Sequence, residues 1–443
     1  MSKLPPLPAT YITLDPFDRP VQDLRARYTS GDVVRGAVRI QPTSRPQRIS
    51  ISFRGRTDMT MEIIRMPGSR LDNFSGSYQE TVELFKYDLD LFTSAGESGY
   101  DIVNMGIAAD GRVELPFAFK FPHAVEIVPP KEYLPNPGFE HQVGHRLPPS
   151  YHFSGPHGYR VETEYWLEAF VYGFSKADPE QKVKHGVWYQ PPTLSPQPLG
   201  ELVRLPSKRV AVRTPRLDPD RGKEEGLLAK WQIHRKKGQS TTPFAAFDLS
   251  VNIAPVFIAG ALLPIKMSLE HLERSPELID PPTLYLRRMK ISLVSKAGFR
   301  LRSHAIGNRG DYEESREDLI TIIDKRFLKG PGELIYDGQN LNELATVRTS
   351  EVTAPSFKSF STSVQYFLEV KFWIECGKEE RIITPDRHAI HIVSGVVTEE
   401  HLNQAMVTAA ISEPEDEMAP PPAYAPPAYE DRNRDFVVNV GRT

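Results

Sequence analysis

Two copies of one tetrapeptide carry the clearest chemistry in this 443-residue chain: Pro421-Pro422-Ala423-Tyr424 and, after a single alanine, Pro426-Pro427-Ala428-Tyr429. Proline fixes φ and lacks an amide donor, so the run is barred from helices and central strands and reads as an extended polyproline ribbon. Such a ribbon loses little entropy on docking. Its proline rings stack in one aromatic-lined pocket while a nearby tyrosine fills another. A proline pair with tyrosine two positions on is the form read by WW domains, and an inert spacer has no need of that tyrosine twice. At ~3.1 Å per residue the two tyrosines stand ~15 Å apart and point to different sides of the ribbon. Two bound domains would crowd each other, so the doubling is expected to favour rebinding of one domain over capture of two.

Other chemistry-bearing residues form weaker patterns. The sequence holds no GxGxxG or P-loop lysine motif, and the glycines of Gly96-Glu97-Ser98-Gly99 do not flank the serine as a nucleophile elbow requires. His141 and His145 are four apart, but Glu140 precedes the pair and Gly144 opposes the helix that would aim both at one ion. With His152 and His157 they read as a turn-rich surface loop. Cys376 falls on the apolar face of a strand pattern and reads as a core thiol. No carboxylate pair stands out as acid and base, so no catalytic residue, metal or cofactor is expected. Basic residues cluster at Lys182 and Lys184, at Arg204, Lys208, Arg209, Arg213 and Arg216, and at Arg235, Lys236 and Lys237. If folding gathers them, they are candidates for contact with an acidic or phosphorylated segment or with anionic headgroups; the plain alternative is solubilising loop charge. Pro148-Pro149-Ser150-Tyr151 is a third formal PPxY, but it leads into a strand and is expected to be consumed by folding.

Composition bounds the framework. The length predicts two or more domains, and 40 prolines, mostly scattered, suit short strands joined by turns. A net charge of −3 provides no global field for nucleic acid, which is not expected as a partner. One cysteine and an N-terminus without an apolar leader favour a reducing cytoplasmic setting. The longest largely apolar run, Ile253 to Ile265, is too short to span a bilayer as a helix.

Alternation of period two supplies the elements. Gly36, Val38 and Ile40 share a face opposite Arg35, Ala37 and Arg39. Ile49, Ile51 and Phe53 alternate with serines, Tyr87, Leu89 and Leu91 with aspartates, and Phe117, Phe119 and Phe121 lie between terminators Pro116 and Pro122. Tyr159 to Val171 is the longest strand of the first half. Turn residues accumulate from Phe174 to about Gly226, where a domain boundary is expected, with one further strand around Val210 and Val212. Strands then resume at Trp231 and Ile233, Leu249 to Ile253, Ile265 to Leu269 and Met289 to Leu293. Val364 to Cys376 mirrors the long strand of the first half, and a last strand lies around Ala389 to Val393. Leu402, Ala405, Met406 and Ala409 have helical spacing within Thr398 to Ile411, and the acidic, proline-rich remainder is expected to be disordered until bound.

The order of YTSGDVVRGAVRI, RISISFRGRTD, LPFAFKFP and LPPSYHFSGPHGYRVETEYWLEAFV, followed by VNIAPVFIAGALLPIKMSLE and SVQYFLEVKFWIEC, resembles the arrestin superfamily. Within it, the chain is similar to the fungal α-arrestins, the arrestin-related trafficking adaptors. The resemblance covers roughly Tyr11 to Thr398, and the PPAY pair adds to it. It implies an all-β chain of two tandem immunoglobulin-type β-sandwiches, at 11–215 and 226–398, with a short helix and disordered tail at 399–443. It also implies no active site, binding of cytoplasmic portions of transporters or receptors, and recruitment of a NEDD4-type HECT ubiquitin ligase. Pro421, Pro422 and Tyr424, and Pro426, Pro427 and Tyr429, match its ligase-docking motifs. The expected location is cytoplasmic, with recruitment to plasma membrane and endosomes. A sorting or scaffold protein that needs no ligase is the alternative. The buried charge cluster of visual-type arrestins has no match, so phosphate-triggered activation is not expected.

Overall fold

Alternating apolar residues give this chain strands almost throughout. The computed structural model describes residues 7–15, 27–42, 46–63, 76–94, 102, 106–129, 133–155, 159–173, 178–193, 202–206, 208–218, 242–301, 312–328, 330, 332–351 and 353–397. In chain order the strands are β1 (Thr10–Leu14), β2 (Arg27–Tyr28), β3 (Val33–Ile40), β4 (Arg48–Ile63), β5 (Gly76–Thr93), β6 (Val113–Lys120), β7 (Tyr151–Ser154), β8 (Arg160–Tyr172) and β9 (Gln181–Tyr189). They continue with β10 (Val203–Arg204), β11 (Lys208–Arg213), β12 (Phe244–Ile253), β13 (Val256–Ile258), β14 (Ile265–Arg274), β15 (Leu284–Leu301) and β16 (Tyr312–Arg326). The last are β17 (Glu333–Leu334), β18 (Phe357–Lys358), β19 (Thr362–Cys376), β20 (Glu379–Ile383) and β21 (His388–Val393). Among the described residues one short α-helix, α1 (Leu341–Leu344), lies between β17 and β18, and a 3-10 turn spans Pro215–Leu217. No helix among the described residues is long and apolar enough to cross a membrane.

Among the described residues the strands form four sheets, an all-β, multi-sheet architecture. A three-stranded sheet, β1-β3-β6, and a six-stranded one, β2-β9-β8-β4-β5 with β7 on β8, bury their facing sides in one core. Its centre is aromatic: Phe53, Phe85, Phe121, Tyr165 and Tyr189 are essentially inaccessible to solvent. The second core lies between the β10-β12-β11 sheet, with β14 on β12, and the eight-stranded sheet β13-β21-β19-β15-β16, with β17, β18 and β20 attached. The chain passes from the first pair of sheets to the second between Tyr189 and Val203. The strand around Val210 and Val212 therefore pairs with Phe244–Phe247 and not with anything N-terminal to it. Each core takes side chains from the other half: Phe360 packs in the first, and Met59, Met61, Tyr151, Tyr159 and Val161 pack in the second.

The long alternating stretches keep their faces. Val364, Tyr366, Leu368, Val370, Phe372, Ile374 and Cys376 are all buried on β19, and so are Val161, Thr163, Tyr165, Leu167, Ala169 and Val171 on β8. Three local expectations change. Pro116 does not end a strand but lies inside β6, opposite Ala37; β6 is at the sheet's edge, where a missing amide donor leaves no ladder partner unmet. Ala37 and Arg39, expected on the outer face of β3, are buried too, Arg39 beside Glu114 at 3.3 Å. The Tyr87-Leu89-Leu91 face is only partly dry: it lies on the side of Phe53 and Ile51, and Tyr87 and Leu91 pack against the core, but β5 is an edge strand and Leu89 is 38% exposed; Val82, Leu84, Phe85 and Phe92 are the buried residues of β5. Trp231 and Ile233, and the helical spacing between Thr398 and Ile411, lie outside the described residues.

Glycine is a steric requirement at position 36. A Cβ there would stand 2.0 Å from the Thr13 carbonyl oxygen, across the Leu14–Gly36 register of β1 and β3. The first strand thus lies closer to β3 than any side chain permits.

Candidate functional site

The PPAY repeats, Pro421, Pro422, Tyr424, Pro426, Pro427 and Tyr429, lie outside the described residues, as do Arg235, Lys236 and Lys237. The third formal motif is described and is consumed by the fold. All four residues from Pro148 to Tyr151 are buried. Tyr165 Oη donates to the Pro148 carbonyl at 2.6 Å, and Ser150 Oγ accepts from the Tyr189 amide at 2.9 Å. No ring of this segment is free to enter a partner's groove.

The remaining basic residues fall in two separate places. Lys182 and Lys184 stand on β9 of the first half, where Lys184 pairs with Glu164 at 2.8 Å and caps the Trp166 ring at 4.6 Å. Arg204, Lys208, Arg209 and Arg213 follow one another along the same edge of β12. Most have a carboxylate within reach: Arg204 lies 3.8 Å from Glu270, Lys208 3.7 Å from Asp386 and Arg209 2.7 Å from Glu273. Arg213 covers the Phe244 ring at 5.5 Å. These pairs are exposed, so each is worth little and opens readily to a competing anion. Sequence spacing suggested a patch of like charge; cross-strand pairing makes it an alternating one.

The junction of the two halves is built around a residue that the sequence did not single out. Arg300, at the end of β15, is fully buried. Its Nε and Nη2 donate to the Phe360 carbonyl at 3.0 and 2.6 Å, Nη1 to the Leu134 carbonyl at 2.6 Å, and Nη2 also to the Glu140 carbonyl at 3.1 Å. The guanidinium is sandwiched by Tyr133 and Phe139, 4.4 and 4.7 Å from its carbon. Only a planar fork reaches three carbonyls and two ring faces at once, which lysine cannot do. Phe360 extends the cluster, stacked on Tyr133 at 6.2 Å and met edge-on by His145 at 4.6 Å. Nothing in the local spelling FRLRS separates this arginine from Arg302 two residues on. What singles out Arg300 is tertiary: the carbonyls of Leu134, Glu140 and Phe360, all far from it in sequence, meet at the end of β15 and accept from its guanidinium.

Beside this cluster opens a cleft of about 850 Å³ that takes its walls from both halves. Pro191, Val256, Phe357 and Val393 make it largely apolar, and Arg146 and Lys358 bring fixed positive charge. His391 at its wall is held below its ordinary pKa, chiefly by burial and also by Arg146, so it is neutral at pH 7. His145 is likewise depressed by burial, and its Nδ1 donates to the Gln142 carbonyl at 2.8 Å. The cleft thus offers apolar surface and two cations, which suits an extended segment bearing a negative charge. The histidines are dispersed over separate roles: His141 Nε2 accepts from the Asn136 amide at 3.0 Å, and His152 faces Glu162 at 3.8 Å. Among the described residues no group of histidine, cysteine and carboxylates is placed to hold a metal ion.

Cys376 is buried, and burial pushes its thiol up to about 11. The thiol is therefore protonated as well as shielded. Maleimide labelling of the native chain at pH 8 is expected to be at least about 100-fold slower than in denaturant, since two pKa units alone remove that share of thiolate. Because the folded pKa is the raised one, this group's contribution to stability is complete below the unfolded value near 9 and is lost as pH rises through about 11. Fast native labelling would place Cys376 at the surface.

Comparison with protein-family models and with curated proteins finds no match for this chain.

Proposed function

We propose that this chain is an arrestin-type adaptor that joins a WW-domain ubiquitin ligase of the NEDD4 HECT class to cytoplasmic parts of a membrane transporter or receptor. In this reading the body consists of two tandem arrestin-like β-sandwiches and holds the cargo, and residues 399–443 form a tail that holds the ligase. The observation that carries it is the tandem PPAY, with tyrosine in register after each proline pair. An all-β body with two sheet-on-sheet cores is compatible with it, and so is the burial of Pro148–Tyr151, which leaves the C-terminal pair as the PPxY copies for a partner to read. The chain supplies no chemistry of its own: it raises the effective concentration of ligase beside cargo lysines, and the ligase contributes the catalytic cysteine. The protein works in the cytoplasm and reaches plasma membrane and endosomes through its cargo.

The test is titration of purified WW domains against the full chain and its Tyr424→Ala/Tyr429→Ala variant. Removing both aromatic anchors is expected to weaken binding by more than about tenfold, with the thermal melt of the body unchanged. Equal binding by the two chains would defeat the proposal.

A further inference from the structure

Most long sheet edges of this protein carry a device against pairing with another chain. The edge strand β6 contains Pro116, and β9 presents Lys182 and Lys184. The outer side of β5 receives the amides of Glu126 and Ile127 at the Leu84 carbonyl, and β14 is covered where Met267 exchanges backbone hydrogen bonds with Gly338 and Gln339. β16 is different. It pairs with β15 from Arg288–Arg326 to Leu301–Tyr312, and among the described residues no backbone hydrogen bond leaves the other side of Glu317–Arg326.

The middle of that open stretch is Leu319-Ile320-Thr321-Ile322-Ile323, uncharged and rich in β-branched residues, the composition that most readily accepts another strand. A register shift opposite Ile291/Ser292 sets Ile322 and Ile323 against the second core, which leaves Leu319 and Ile320 outside, 49% and 38% exposed. Charge lies only at the two ends and has opposite character there: Glu317 and Asp318 before the run, Lys325 and Arg326 after it, with Asp324 between. Asp324 is already engaged by Arg288 at 2.5 Å and Glu317 by Arg387 at 3.1 Å. Asp318 and Arg326 are exposed, and among the described residues no side-chain hydrogen bond or ion pair holds either.

An antiparallel neighbour with the same sequence would bring its basic end beside Asp318 and its acidic end beside Arg326, twice across a two-fold axis. We propose that β16 is a self-association edge, on which a second copy of this chain pairs antiparallel about a two-fold axis at Ile322, with Asp318 opposite Arg326 of the second copy, and joins two eight-stranded sheets into one. Such an interface is isologous and closes after two subunits. It covers Leu319 and Ile320, satisfies the open backbone groups and matches the charged ends. The inference does not depend on the ligase-docking reading, since it involves no residue of the tail.

Sedimentation of the full chain across a wide concentration range tests it. The wild-type chain is expected to show a concentration-dependent monomer–dimer equilibrium. Asp318→Arg and Arg326→Glu, each alone, set like charges against one another and should weaken dimerisation about tenfold, whereas the double reversal restores the match and should return to within about threefold of wild type. Leu319→Lys/Ile320→Lys places charge in the middle of the edge and should abolish the dimer with little change in thermal melting. Three results overturn the proposal: a wild-type chain that stays monomeric to several hundred micromolar, a double reversal no better than the single changes, or growth beyond two subunits.

Discussion

Replacing Arg300 with alanine is expected to cost the folded body about 3 kcal/mol or more, because charge-assisted hydrogen bonds contribute ~1.5–3 kcal/mol and each buried acceptor left unmet adds a penalty of its own. The carbonyls of Leu134, Glu140 and Phe360 lose their donor together, and Tyr133 and Phe139 face a void where the guanidinium lay. Arg300→Lys should recover little, since an ammonium cannot span three carbonyl directions. Urea unfolding followed by fluorescence reads the shift in midpoint. Hydrogen exchange locates it: protection should fall first at 133–145 and 359–361, where the halves interlock, and last in the interior of β15 and β19. An unchanged midpoint for Arg300→Ala would remove the arginine's role as the clasp.

Truncating Phe53 should be at least as damaging. Its ring is fully buried, with Phe85 at 5.0 Å, Phe121 at 4.8 Å and Phe119 at 5.7 Å. Phe→Ala at such a site costs ~3–5 kcal/mol, the transfer cost of the ring together with that of the cavity it leaves. Leu89 belongs to an alternating run of the same appearance in the sequence, yet Leu89→Ala should cost no more than about 1 kcal/mol because the residue, on an edge strand, is 38% exposed. The paired melts of the two variants check that Leu89 stands at the rim of the core whose centre Phe53 fills. Equal losses would mean that Leu89 is fully buried.

Strand content was legible wherever one face is dry and the other wet. β19 and β8 show strict period two because each has a sheet partner on both sides and one apolar side chain at every second residue. Alternation fails as a guide where something besides the pleat decides the environment. On β3 the outer face is also covered, so an arginine and an alanine are buried where the pattern implied exposure. On β5 the apolar face of YDLDL does lie on the core side, opposite Phe53 and Ile51, but at the edge of the sheet Leu89 reaches past what covers the core, and nothing in the local sequence says which strand is at an edge. Pro116 read as a stop because the local rule ignores whether a strand is central or at an edge.

By itself, the sequence determined the all-β character, the core assignment of Cys376, the consumption of Pro148–Tyr151 and the linear PPAY repeats, because each depends on neighbours along the chain: side-chain parity, proline's missing donor, or a short extended ligand. The tertiary structure alone decided which cations stand together, which carboxylates offset them, which arginine is buried where the halves interlock and which edge is left open. Those outcomes depend on pairing between strands far apart in sequence, and a linear chain carries no mark of which two distant positions will lie side by side.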